Sequence, residues 1–322
     1  MTTKHSLVIL KYLFLIGILL STIYLFRTDL FPFVLNHSKQ ISTTNTQNCI
    51  DLSVITNDSF QCVKTKLLLN KYRTTVCVHD AKKDTDVSGL IINHGIWEEN
   101  LVTRIVRIFS TYRQLAFIDI GANIGIYTMY AASLGCPHVF AIECFRPNIE
   151  RIRRAIQLEK VQKQVLLVPR ALYNKSNVYL SLRTNIANNI GSQRLNVEVS
   201  KNEDDSRVVQ TIRFDDLLPF INERNIQEAI IKIDIETSEH YLCVTGEKIF
   251  NQINIPFVIM EWANIKEIPE KANLIQEFFT IRSYIPFNSE ICQPETEKDY
   301  RRWQNQDIFW IKKNYTYLCE LS

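Results

Sequence analysis

The chain has almost no excess of charge: 37 lysines and arginines against 34 acids leave a formal net charge of +3 over 322 residues. That balance, with no basic stripe interleaved with aromatics, is too small to argue for nucleic acid, and none is expected as a partner. The run "RIRR" (Arg151 to Arg154) reads instead as the solvated face of a helix. Paired C-x-x-C spacings are missing among the eight cysteines, which argues against a zinc centre. No segment repeats. The glycine signature G-x-G-x-x-G is absent too, so nothing here forms the usual pyrophosphate turn of a dinucleotide site. The 46% hydrophobic content nevertheless supplies one sizeable globular core.

Within that frame, one stretch combines strand, turn and helix signals. "FIDIGANIGIYT" (Phe117 to Thr128) starts as a buried-strand run and breaks at Gly121 and Gly125. Glycines at both points let a ligand approach the main chain closely. "IYTMYAASL" then reads as a helix whose first N–H groups face that ligand. The spacing is G-x-x-x-G, with Asn123 where a second glycine would admit a pyrophosphate. A tight turn with no ligand also satisfies this pattern. "HVFAIE" forms a second strand ending in Glu143, about 20 residues past the first glycine, where such an acid takes ribose hydroxyls. A helix with Ile149, Ile152 and Ile156 in register follows, and then a third strand, "QVLLVP". A ribose acid without a pyrophosphate turn favours a nucleoside lacking phosphates.

"DIGANIGIYT", Glu143, "FDDLL" (Phe214 to Leu218), "IIKIDIETSE" (Ile230 to Glu239) and "FVIME" (Phe257 to Glu261) together resemble the FkbM-type branch of the S-adenosylmethionine-dependent methyltransferases. The resemblance runs from about Ser88 to Lys313. It implies an α/β, Rossmann-like class I methyltransferase fold: a seven-stranded, mostly parallel sheet with helices on both faces. It also implies S-adenosylmethionine as cofactor. Asp119, Gly121, Ala122, Asn123, Gly125, Tyr127 and Thr128 would border its methionine end, Glu143 its ribose, and Ala171, with its neighbours Arg170 and Leu172, its adenine. The family usually has proline after the ribose acid, where this chain has Cys144. It has glycine after the second acid of D-x-E-G, where this chain has Thr237.

Methyl transfer to a hydroxyl needs orientation and a base. Asp234, Glu236 and Glu261 stand where the fourth and fifth core strands end, the crevice side of an open sheet. Asp234 or Glu236 is the expected base, and the three carboxylates also offer oxygen ligands for a magnesium-like divalent metal. Alternatively Asp234 and Glu236 cap the next helix, with Glu239 on the surface. His240 is a further candidate base. Trp97, Trp262 and Tyr241 line an acceptor pocket or fill core. The expected acceptor is a small molecule, sugar or glycan.

Ser6 to Phe26 is long and apolar enough to cross a bilayer, with no A-x-A-like cleavage site after it. The expected arrangement is a single-pass type II membrane protein of the Golgi or ER. It would have a tail and signal-anchor at 1–27, a stem and small lobe at 28–87, and a lumenal methyltransferase domain at 88–322. Sequons at Asn36, Asn57, Asn174 and Asn314 agree with a lumenal, glycosylated body. Cys49, Cys62 and Cys77 leave room for a disulfide of unread pairing. Two rival functions stay open: a lumenal glycosyltransferase using "DTD" (Asp84 to Asp86), and a catalytically inactive binding protein that keeps the fold.

Overall fold

Residues 49–55, 58–199 and 207–321 are described by the computed structural model. The apolar run Ser6 to Phe26, Asn36, Asn57 and the polar loop 200–206 lie outside the described residues. Among the described residues no helix is long and apolar enough to cross a membrane.

The described chain opens with an antiparallel pair, β1 (Cys62–Lys64) and β2 (Thr75–Cys77), closed by a Cys62–Cys77 disulfide. Helices α1 (Leu90–His94) and α2 (Glu99–Thr111) follow. Leu101, Ile105 and Ile108 of α2 are buried as their spacing predicts. Trp97, ahead of the helix, is partly buried against the same cluster. Glu98 adopts a left-handed φ of 51°, so the helix starts after it.

A regular β-α-β-α-β unit comes next: β3 (Ala116–Ile120), α3 (Ile126–Ser133), β4 (Val139–Ile142), α4 (Arg146–Glu159) and β5 (Val165–Val168). The basic run on α4 does more than meet solvent. Arg151 donates to the Val78 and Pro147 carbonyls, and Arg153 to those of Asp51 and Val54, so this face ties down the N-terminal lobe.

An element absent from the sequence reading follows. Strands β6 (Ala171–Leu172), β7 (Tyr179–Ile186), β8 (Asn189–Val199) and β9 (Val208–Ile212) make a separate four-stranded sheet, ordered β6-β9-β7-β8. The chain then returns through α5 (Leu218–Glu223), β10 (Glu228–Ile233), α6 (His240–Thr245), α7 (Glu247–Gln252) and β11 (Asn254–Glu261). It ends through α8 (Pro269–Ile281) and the antiparallel pair β12 (Tyr284–Asn288) and β13 (Asp307–Lys312). A second disulfide, Cys292–Cys319, joins the β12–β13 connection to the turn after β13.

The main sheet has seven strands in the order β12-β13-β11-β10-β3-β4-β5, parallel except where β13 meets β11 and β12. Successive residues of each core strand serve opposite layers. Phe117, Ile230 and Phe257 pack with α2, α3 and α4, whereas Ile118, Ile231 and Val258 pack with α5 to α8. The winding reverses between β3 and β10. In an open α/β sheet that reversal leaves a crevice beyond the strand ends, and here every predicted catalytic acid stands near it.

Candidate active site

At the end of β3 the chain passes hard against the end of β10. Gly121 has φ 78°, and a Cβ there would lie 1.8 Å from the Asp234 carbonyl oxygen. Only glycine fits so close an approach. Asn123 follows with φ 52° and Gly125 with φ 87°, which turns the chain into α3. Glu143, one residue past β4, holds this turn in shape. Its Oε2 accepts the Asn123 N–H at 2.8 Å and its Oε1 the Phe145 N–H at 2.7 Å. Burial pushes the Glu143 carboxyl up to about 7, against the pull of those backbone N–H groups.

These residues border a cleft of about 710 Å³, open mouth included. Of the predicted cofactor residues, Gly121, Asn123, Glu143 and Ala171 line it, as do Arg170, Leu172 and Cys144. Asp119, Ala122, Gly125, Tyr127 and Thr128 do not; they stand behind the wall and shape it. Asp119 is fully buried and accepts from the Thr128 N–H and hydroxyl at 3.1 and 2.6 Å, pinning the first turn of α3. Tyr127 turns away and donates its hydroxyl to Glu98 Oε2 at 2.6 Å. Burial raises the Cys144 thiol well above its ordinary value, so it stays neutral.

The opposite wall was missed in the sequence. Gly191, Ser192, Gln193 and Leu195 of β8 line the cleft. Gly191 packs so tightly on Asn123 that a Cβ would stand 2.3 Å from its Nδ2. That glycine inside a strand was the available signal. Trp97 lines the cleft too, whereas Trp262 is fully buried against Tyr300, Trp303 and Trp310. Tyr241 packs edge-on against Tyr173 at 4.9 Å.

Under the glycine turn sits Lys232, a residue the sequence reading passed over. It is 2% exposed and lies beside Asp119 in the β10–β3 register. Its Nζ bonds Asp234 Oδ2 at 3.2 Å, approaches the Gly121 carbonyl at 3.5 Å, and stands 5.2 Å from the Tyr127 ring centre. Burial alone would lower the ammonium, but Asp234, Asp119 and Glu98 together push it above the ordinary lysine value. Glu98 is itself held up to about 7, by burial first and by Asp234 and Asp119 after the opposing Lys232. Asp307, opposite Glu261 in the β11–β13 pair, is raised by burial and by the neighbouring acids.

The predicted catalytic acids separate. Asp234 and Glu236 line the cleft. Glu261 does not; its Oε1 accepts the Asn264 amide at 2.6 Å, and burial and Asp234 push its carboxyl up to about 10. Glu239, a surface residue only in the alternative capping reading, is fully buried and accepts the Ile235 N–H at 2.9 Å. The cause lies between them. Glu236 (φ 54°) and Thr237 (φ 72°) both turn left-handed, which swings the chain back and carries Glu239 inward. A β-branched side chain is strained in that region. Thr237→Gly should therefore raise stability by about 1 kcal/mol in urea denaturation, and no gain would mean the turn relaxes around threonine at no cost. His240 is a poor base here: burial and Lys271 lower it to about 4.

The D-x-D at 84–86 is spent on structure. Buried Asp84 accepts the Ser88 N–H at 3.0 Å and the Ile190 N–H at 2.9 Å, which leaves only exposed Asp86 facing solvent.

Several solved structures are similar to this chain. They include a precorrin-6y C5,15-methyltransferase from Geobacter metallireducens, 12% identical with TM-score 0.34 over 65% of this chain and 85% of that one. An O-methyltransferase from Bacillus cereus in complex with SAH is 12% identical, with TM-score 0.35 over 65% and 80%. A putative SAM-dependent methyltransferase from Streptococcus mutans is 8% identical, with TM-score 0.40 over 80% and 56%. No curated protein matches the sequence. The methyltransferase FkbM domain matches residues 119–301, from the buried acid of β3 through the approach to β13. Since that match takes in the glycine turn, Glu143 and all the strand-end acids over more than half of the chain, the protein belongs to the FkbM methyltransferase domain family.

Proposed function

We propose that the chain binds S-adenosylmethionine in this cleft and methylates a hydroxyl of a sugar, glycan or small metabolite. The observation that carries the reading is the placing of Glu143, the glycine turn and two strand-end carboxylates around one cleft at the sheet's switch point. The residues fit the cofactor. Glu143 presents a carboxylate to ribose hydroxyls, Ala171 and Leu172 offer an apolar wall to a base, and Gly121 exposes main chain without a Cβ. When bound, S-adenosylmethionine supplies an electrophilic methyl carbon on a sulfonium. Asp234 and Glu236 take the acceptor side, and one of them accepts the hydroxyl proton. Carboxylates suit a hydroxyl better than an amine, which needs no base once neutral.

S-adenosylhomocysteine should raise the melting temperature of the purified chain, and UDP-sugars should leave it unmoved. Incubation with labelled S-adenosylmethionine and fractionated glycans and metabolites should give a labelled O-methyl product. An N-methyl product would overturn the hydroxyl assignment. Binding with no transfer would favour the inactive reading, for which the strained Thr237 in the family's glycine position is the specific motive.

The same proposal places the domain in the secretory lumen, behind the apolar run Ser6 to Phe26. Two disulfides suit an oxidising compartment, and Asn174 and Asn314, the described sequons, are both exposed. Endoglycosidase should increase the gel mobility of protein expressed in a secretory system; unchanged mobility would argue against the lumen.

A further inference from the structure

Three acids converge just behind the cleft wall. Asp234 follows β10, Glu239 precedes α6 and Glu261 ends β11, and one carboxylate oxygen of each lies within 4.8 Å of the other two. Glu239 is fully buried, yet only its Oε1 has a partner, the Ile235 N–H; its Oε2 has none. Glu261 repeats the pattern, with Oε1 on the Asn264 amide and Oε2 without a partner. Buried carboxylate oxygens left unpaired cost free energy, so something positive belongs between them. Neither nearby ammonium group bonds Glu239 or Glu261. Lys232 bonds Asp234, and Lys271 donates to the Thr237 carbonyl at 2.8 Å.

We propose that Asp234, Glu239 and Glu261 hold a hard divalent cation in the wall of the cleft. The donor set is all oxygen, as such ions require. Oxygens that all lie within 4.8 Å of one another are close enough for small side-chain shifts to gather them round one ion. The ligand set differs from the one expected from the sequence, because buried Glu239 takes the place of Glu236. Asp234 also lines the cleft, so the ion borders the space where an acceptor sits. That last use rests on the methyl-transfer reading; the binding site itself does not.

The competing occupant is a proton shared between Glu239 and Glu261. Manganese binding to the purified full-length chain, followed by the paramagnetic resonance of free Mn²⁺, separates the two. One Mn²⁺ per chain is expected, displaced by Ca²⁺ and bound at least tenfold more weakly by Glu239→Gln and by Glu261→Gln. Folding of each variant is checked by its melting temperature with and without S-adenosylhomocysteine. If Glu239→Gln does not fold, Glu261→Gln decides alone. Absence of stoichiometric Mn²⁺ binding, or equal affinity in a folded variant, overturns the site in favour of the shared proton. The methyl-transfer reading fails separately, when the unsubstituted chain binds no S-adenosylhomocysteine whatever its manganese affinity.

Discussion

Replacing Lys232 with methionine should lower the stability of the folded chain by about 3–5 kcal/mol, read as a fall in the urea midpoint at unchanged slope. Methionine fills nearly the same volume, so the loss is not one of packing. What disappears is the buried cation that Asp119, Asp234 and Glu98 share. Removing one member of a buried ionic group leaves the others charged with no counterpart, and that penalty is what the measurement reports. The deficit should shrink below pH 7, because burial already holds Glu98 at about 7 and a proton there does part of the lysine's work. A loss under about 1 kcal/mol at pH 8 would show that solvent reaches this cluster.

Glu143→Ala should weaken S-adenosylhomocysteine binding by about 1.5–3 kcal/mol, roughly 10- to 150-fold, in calorimetry. Alanine also strips the acceptor from the Asn123 and Phe145 N–H groups, so part of the loss comes through the turn. Glu143→Gln keeps an acceptor oxygen and should retain more of the fold while still losing the charge. Ribose hydroxyls donate to the ionised carboxyl. Affinity in the unsubstituted protein should therefore rise with pH and level off above about 7. Ligand-free stability runs the other way. The folded value lies above the ordinary 4.5, so this group's contribution is fully present below 4.5 and is lost as pH rises through about 7. Unchanged affinity in both variants would mean the nucleoside lies elsewhere.

How far the sequence could be read depended on whether each signal was local. The glycine turn and Glu143 lie within one strand-turn-helix-strand passage, where spacing alone places them. Lys232 had a signal that went unused: a lone lysine inside "AIIKIDI", a strand buried on both faces, must find a counter-charge. Glu239 had none, because its burial depends on two left-handed residues that no side-chain pattern announces. The β7–β8 hairpin was hidden by composition. "YLSLRTNIANNIGSQRLNVEV" alternates only weakly, since much of it covers a cleft rather than a core.

The strand order has a consequence for how the chain is made. The centre of the sheet pairs Phe117 with Ile230, yet β10 leaves the ribosome only after the whole four-stranded insertion. At about 5–20 residues per second, β3 waits on the order of 10 s for its neighbour. During that interval β1 and β2 can already close their disulfide, while Cys136 and Cys144, destined for the interior and the cleft, remain uncovered. If the chain folds in an oxidising compartment, as proposed above, the order of synthesis exposes the wrong thiols early, and native yield would then depend on thiol–disulfide exchange keeping them free until the central strand arrives.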